Sequence, residues 1–67
     1  MKVWDVVIEE VSSKDDPDYW ESYGTFTVIA DTVQEACEKA LEYAKLDEDF
    51  FAWRVTKAEL VREVDVP

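Results

Sequence analysis

The sequence predicts an α+β domain: an antiparallel sheet of three or four strands with one helix packed on one face, in the order β-β-α-β. Three observations carry that expectation. Two stretches of period-two alternation stand near the N-terminus, a capped helical stripe follows them, and a third alternating stretch comes after the helix. With 67 residues there is room for one core, so residues 1–67 read as a single small domain. Hydrophobic residues make up 48% of the chain, more apolar material than an acidic disordered tail would contain.

Lys2 to Val11 (KVWDVVIEEV) is rich in β-branched residues and reads as the first strand. Trp4, Val6 and Ile8 fall on one face, Val3, Val7 and Val11 on the other. A strand with one face in water alternates cleanly, so apolar groups on both faces predict a cover over the second. Ser12 to Glu21 (SSKDDPDYWE) collects Ser, Asp and Pro and reads as a loop longer than the usual hairpin connection. Ser22 to Ala30 (SYGTFTVIA) resumes a strand antiparallel to the first, with Phe26, Val28 and Ala30 on one face and Tyr23, Thr25, Thr27 and Ile29 on the other. Gly24, the one glycine in the chain, lies inside it, where a bulge or a close backbone approach is expected.

Thr32 and Glu35 form a T-x-x-E capping box, so a helix starts here. Val33, Ala36, Cys37, Ala40, Leu41 and Ala44 then make one apolar stripe, opposite Gln34, Glu35, Glu38, Lys39, Glu42 and Lys45. On that outer side Glu35 and Lys39 attract while Glu38 and Glu42 repel. Leu46 to Asp49 breaks the stripe, and Phe50 and Phe51 lead into a third strand over Ala52 to Lys57. Beyond it the apolar phase slips from odd positions (Trp53, Val55) to even ones (Ala58, Leu60, Val64, Val66), as a bulge or a short fourth strand would require. Trp4, Trp53, Phe50 and Phe51 are expected to build the core around the helix stripe, because so small a core needs large side chains.

The residue inventory argues against chemistry. Histidine is absent, which removes the commonest general base and metal ligand. Cys37 falls on the apolar stripe, where a thiol behaves as a small inert hydrophobe. The carboxylate clusters Asp15, Asp16, Asp18 and Asp47, Glu48, Asp49 sit in predicted loops without the glycine and distal glutamate of a calcium loop. One glycine builds neither a P-loop nor a dinucleotide fingerprint. The chain is expected to be no enzyme, with no catalytic residue, no metal ligand and no cofactor.

Seventeen Asp and Glu against seven Lys and Arg leave a net charge of −10, which repels nucleic acid and anionic lipid and attracts a basic protein surface. Direct nucleic-acid binding and a membrane role are therefore not expected. The same charge also serves solubility. A single cysteine excludes an internal disulfide, and the N-terminus lacks the basic then apolar pattern of a secretory signal, so the expected compartment is the cytoplasm.

The candidate binding residues follow from aromatics set among acids. Tyr19 and Trp20 close a loop that carries Asp15, Asp16, Asp18 and Glu21, and Tyr23 stands just beyond, a composition that matches interface hot spots. Glu38, Glu42, Asp47, Glu48 and Asp49 extend the acidic surface.

Ala30 to Lys45 (ADTVQEACEKALEYAK), preceded by two strands, resembles the strand-to-helix junction of HicB-type antitoxins and of small accessory proteins of phages and plasmids. That resemblance implies an acidic inhibitor of a host defence or replication enzyme, of anti-CRISPR or anti-restriction type, acting in the host cytoplasm. Its carboxylates would stand in for phosphates in a basic groove. Two alternatives stay open: an assembly module that forms a homodimer through the second sheet face or an open edge strand, and an antitoxin-like neutraliser.

Overall fold

In a computed structural model of the chain, residues 1–47 and 51–64 are described. β1 (Lys2–Val11), β2 (Glu21–Ala30), α1 (Val33–Asp47) and β3 (Ala52–Glu63) follow in the order β-β-α-β, and the strands form an antiparallel sheet in the order β2-β1-β3. The strand with apolar residues on both faces takes the centre, where neighbours on both sides and the helix above shield it. Some boundaries move from those expected. β2 begins at Glu21, α1 continues through Leu46 to Asp47, and β3 runs through Ala58 to Glu63 as one strand.

Register explains the phase slip. Residues directly opposite in an antiparallel pair share a face. From Val7 to Ile8 the β3 partner steps from Lys57 to Val55, leaving Thr56 as an extra residue; from Val3 to Trp4 it steps from Arg62 to Leu60, leaving Val61. The first bulge puts odd-numbered Trp53 and Val55 on the same face as even-numbered Ala58 and Leu60, so one strand serves where a fourth was the alternative. A third bulge lies in β2, where Ile8 pairs with Gly24 and Glu9 with Ser22, leaving Tyr23. Strict alternation would place Tyr23 with Thr25 on the far face. The bulge turns it to the helix face instead, where it stacks on Phe26 (6.0 Å between centroids) and meets Trp53 edge-on (5.0 Å).

The core lies between sheet and helix. Val6, Ile8, Ala36, Ala40 and Ala44 are fully buried, and Val28 and Ala30 nearly so. Alanine every fourth residue lets α1 settle close onto the sheet, since each methyl adds little to the separation. Trp4, Phe26, Cys37, Leu41, Trp53 and Val55 pack around this centre partly buried. Trp4 Nε1 also donates to the Ala30 carbonyl (2.9 Å), satisfying the indole where β2 ends. Phe51 departs from its expected core role, at 57% exposed, because it enters β3 beyond the helix end; its backbone N–H donates to the Val11 carbonyl. Val33 is likewise exposed although it begins the stripe. Phe50 and Val66, assigned by sequence to the core and to the even phase, lie outside the described residues.

The cap forms by half. The Glu35 N–H donates to Thr32 Oγ1 (3.2 Å), while the Glu35 carboxylate turns to Lys39 Nζ (3.2 Å). That same ammonium donates to the Ile29 carbonyl (2.8 Å), so the expected i,i+4 pair also ties the helix to β2.

The second face of the sheet is covered by its own side chains. Val3, Asp5, Val7, Glu9 and Val11 run down its centre. Ile29, Thr27, Thr25 and Ser22 flank them on β2, and Arg62, Glu59, Lys57, Arg54 and Ala52 on β3. Thr27 donates to Asp5 (2.8 Å), Lys57 pairs with Glu59 (3.3 Å), and Arg54 pairs with Glu9 (2.6 Å). Long side chains leaning inward shield the central valines: Val3 is 7% exposed and Val11 1%.

Candidate partner-binding site

The topology gathers two acidic segments that are far apart in sequence. The β1–β2 loop leaves β1 at Val11, and β3 starts opposite the same residue at Ala52. The helix ends there too, because the Tyr23 hydroxyl at the start of β2 donates to Asp47 (2.9 Å). Asp15, Asp16, Asp18, Glu21 and Asp47 thus share one end of a molecule that measures 50 × 19 × 16 Å. Lys14, Lys45 and Arg54 are the bases toward that end. Glu48 and Asp49 lie outside the described residues.

Within the loop, Asp and Pro build successive turns. The Asp15 N–H donates to Ser13 Oγ (3.1 Å), the Asp16 N–H to the Ser13 carbonyl (3.3 Å), and the Tyr19 N–H to the Asp16 carbonyl (3.2 Å). These bonds use backbone and serine groups, and Asp15, Asp16 and Asp18 stay exposed with Tyr19. Trp20 behaves differently. It is half-buried, with the Arg54 guanidinium 4.2 Å from its ring centroid. Arg54 in turn donates through Nε to Glu9 Oε1 (2.8 Å), so Trp20, Arg54 and Glu9 stack at the loop end of the second face.

Glu38 and Glu42 do not join this end. They form a ridge on the solvent side of α1, where Glu38 accepts from Gln34 (3.4 Å). No helix among the described residues is long and apolar enough to cross a membrane.

Sequence reasoning missed Glu10. It continues the Trp4, Val6, Ile8 face and is 4% exposed, the one charged side chain buried among the described residues, and its Oε2 has no hydrogen-bond partner. Its cross-strand partners are Glu21 on β2 and Trp53 on β3. Burial pushes the Glu10 carboxyl above its ordinary value of 4.5, and the neighbouring charge of Glu21 and a side-chain hydrogen bond with it push the same way. The alternation of β1 already pointed to it: the fourth member of an apolar face is an acid.

No family model, curated protein or solved structure matches the chain. The site therefore rests on its own geometry. That geometry is an acidic end with an exposed tyrosine, a tryptophan half-covered by an arginine, and a buried carboxyl at its base.

Proposed function

We propose that the protein acts without catalysis, as an acidic inhibitor or modulator that engages the basic surface of a nucleic-acid-handling protein. The observation that carries this reading is the convergence of the Asp15–Glu21 loop and Asp47 at one end of the molecule. Carboxylates gathered at one end project a concentrated negative field, which steers a basic cleft and speeds its approach. Tyr19 and Trp20 add apolar contact beside the charge, where hot spots are commonly built. The likeness of the strand-to-helix segment to phage and plasmid accessory proteins supports the anti-defence class, with carboxylates in the place of phosphates. Antitoxin-like neutralisation of a basic toxin would use the same end.

The test is capture from host extract at rising salt, with the captured protein identified and the interaction then measured between purified components. Binding should weaken steeply as the screening length shrinks from ~10 Å at 0.1 M salt to ~3 Å at 1 M. A variant with Asp15, Asp16 and Asp18 all changed to Asn should lose most of the association rate. Salt-insensitive binding, or equal binding by the triple variant, would sink this reading.

A further inference from the structure

Glu10 and Glu21 form the last rung of the β1–β2 ladder before the Asp-rich loop. Residues directly opposite in an antiparallel pair share a face, with Cβ atoms ~4.5–5.5 Å apart, and like charges so placed push the strands apart. The surroundings do nothing to relieve them. On β3 the partner of Glu10 is Trp53, whose neighbour Arg54 turns to Glu9 on the second face. From α1, buried alanines close the helix face, and the carboxylate that ends the helix, Asp47, is taken by the Tyr23 hydroxyl. Asp15, Asp16 and Asp18 in the loop are exposed. Among the described residues no ammonium or guanidinium pairs with either carboxyl of the rung.

The two carboxyls are placed unequally. Glu10 is 4% exposed with Oε2 unpartnered, while Glu21 is exposed. A side-chain hydrogen bond nonetheless joins them. Two carboxylates offer only acceptors, so that bond requires a proton on one of them. Burial disfavours the charged form, so the proton belongs to Glu10 and the charge to Glu21, where water solvates it. A metal ion would need more ligands, and among the described residues no group of three acids or cysteines stands close enough to hold one.

We infer that this pair is a proton-operated latch at the base of the Asp-rich loop: one shared proton closes the last rung of the ladder, and its release opens that rung. Release leaves two carboxylates facing each other across the strands, one of them cut off from water. Relief is local, since Glu21 is the first residue of β2 and only the loop lies before it. β1 stays in place, because Val11 continues its pairing with Ala52 on the other side. Opening thus frees the end of the loop that leads into β2, gives Glu10 water, and adds one negative charge to the acidic end. The latch needs no partner and stands apart from the proposed function.

Carboxyl-carbon NMR of the full chain from about pH 3 to about pH 9 tests it. Coupled groups release their protons in two macroscopic steps, so Glu10 and Glu21 should both respond at two midpoints, more than about one pH unit apart, the upper one above 4.5. At the upper midpoint amide-exchange protection at residues 9–10 and 21–22 should fall, while residues 4–7 and 26–28 keep theirs. Glu10→Gln and Glu21→Gln should each abolish that fall, since either amide can donate to the remaining carboxylate. A fall that survives in Glu21→Gln would make the burial of Glu10 alone its cause and overturn the latch. So would independent titration of the two carboxyls, each with a single midpoint, or a rung whose protection is unchanged through the upper midpoint. Should either variant unfold, the midpoints and protection of the native chain decide by the same criteria.

Discussion

Glu9 and Glu10 are neighbours in one strand, yet the two faces of the sheet treat them in opposite ways. On the second face Glu9 lies against the Arg54 guanidinium, which also covers Trp20. On the helix face Glu10 is walled in opposite Glu21, with one oxygen unpartnered. Successive residues of a strand point to opposite sides, so a single step along β1 exchanges a paired, half-exposed charge for a buried one beside another acid. The helix face is dry because Ala36, Ala40 and Ala44 seal it, and it tolerates charge poorly. The second face is shielded by long polar side chains, and there charge is part of the cover.

The sharpest way to break that contrast is to truncate the same strand on each side. Ile8→Ala, at a fully buried site, should cost about 3 kcal/mol, a large share of the total stability of so small a domain. Val7→Ala, half-buried on the second face, should cost about 1 kcal/mol or less, because water and lysine methylenes already share its surroundings. Denaturant midpoints with unchanged slopes would measure both. Equal losses would show that the two faces are equally dry.

Much of the fold was legible in the sequence, and what was not has a physical reason. The helix start, the alanine stripe and both N-terminal strands follow from periodicity and capping, which are local. Gly24 correctly marked a bulge, though it has no positive φ and a Cβ there would meet nothing within 4 Å; the extra residue is Tyr23 beside it. Where a bulge falls depends on cross-strand register, which is non-local. Tyr23 therefore read as a surface aromatic when it is packed under α1. What covers Trp20, the interface aromatic that closes the loop, was hidden for the same reason, since its cover comes from Arg54, thirty-four residues on. Of the candidate site, the acids themselves were legible. The meeting of the Asp15–Glu21 loop with Asp47 needed the topology.

A second test turns on Glu10 and pH. Its carboxyl is raised above 4.5 in the fold, so well below that value Glu10 is protonated in both states and its contribution to stability is fully present. As pH climbs past 4.5 the unfolded chain releases the proton first, and stability falls until Glu10 ionises in the folded state as well. Above that point the loss is constant. The charged group facing it is Glu21 across β2; on β3 its partner is Trp53, and Arg54 turns to Glu9 on the other side. Glu10→Gln keeps a neutral donor that can reach the Glu21 carboxylate at any pH. The variant should melt higher than the native chain at pH 8 by a few degrees and match it at pH 4, removing the slope between. A parallel pair of melting curves would show that Glu10 reaches water as freely as Glu9 does.

The smallest expected effect is also the one that joins the two faces to the binding end. Arg54 is 48% exposed and Glu9 25%, so their pair lies in the range where an ion pair is worth about 1 kcal/mol or less, and the contact over Trp20 adds about as much. Arg54→Met keeps an unbranched apolar stem beside the indole and removes the charge together with its hydrogen bond to Glu9. It should lose about 0.5–1 kcal/mol at low salt, with the gap from the native chain closing as salt rises. Arg54→Ala also uncovers Trp20 and should lose more, by an amount that salt does not recover. The methionine variant further unmasks Glu9 beside the Asp-rich loop. If that end captures a basic partner, Arg54→Met should associate faster than the native chain at low salt even though it is less stable. Such opposite signs in stability and association rate would separate what this arginine does for the fold from what it subtracts from the acidic end.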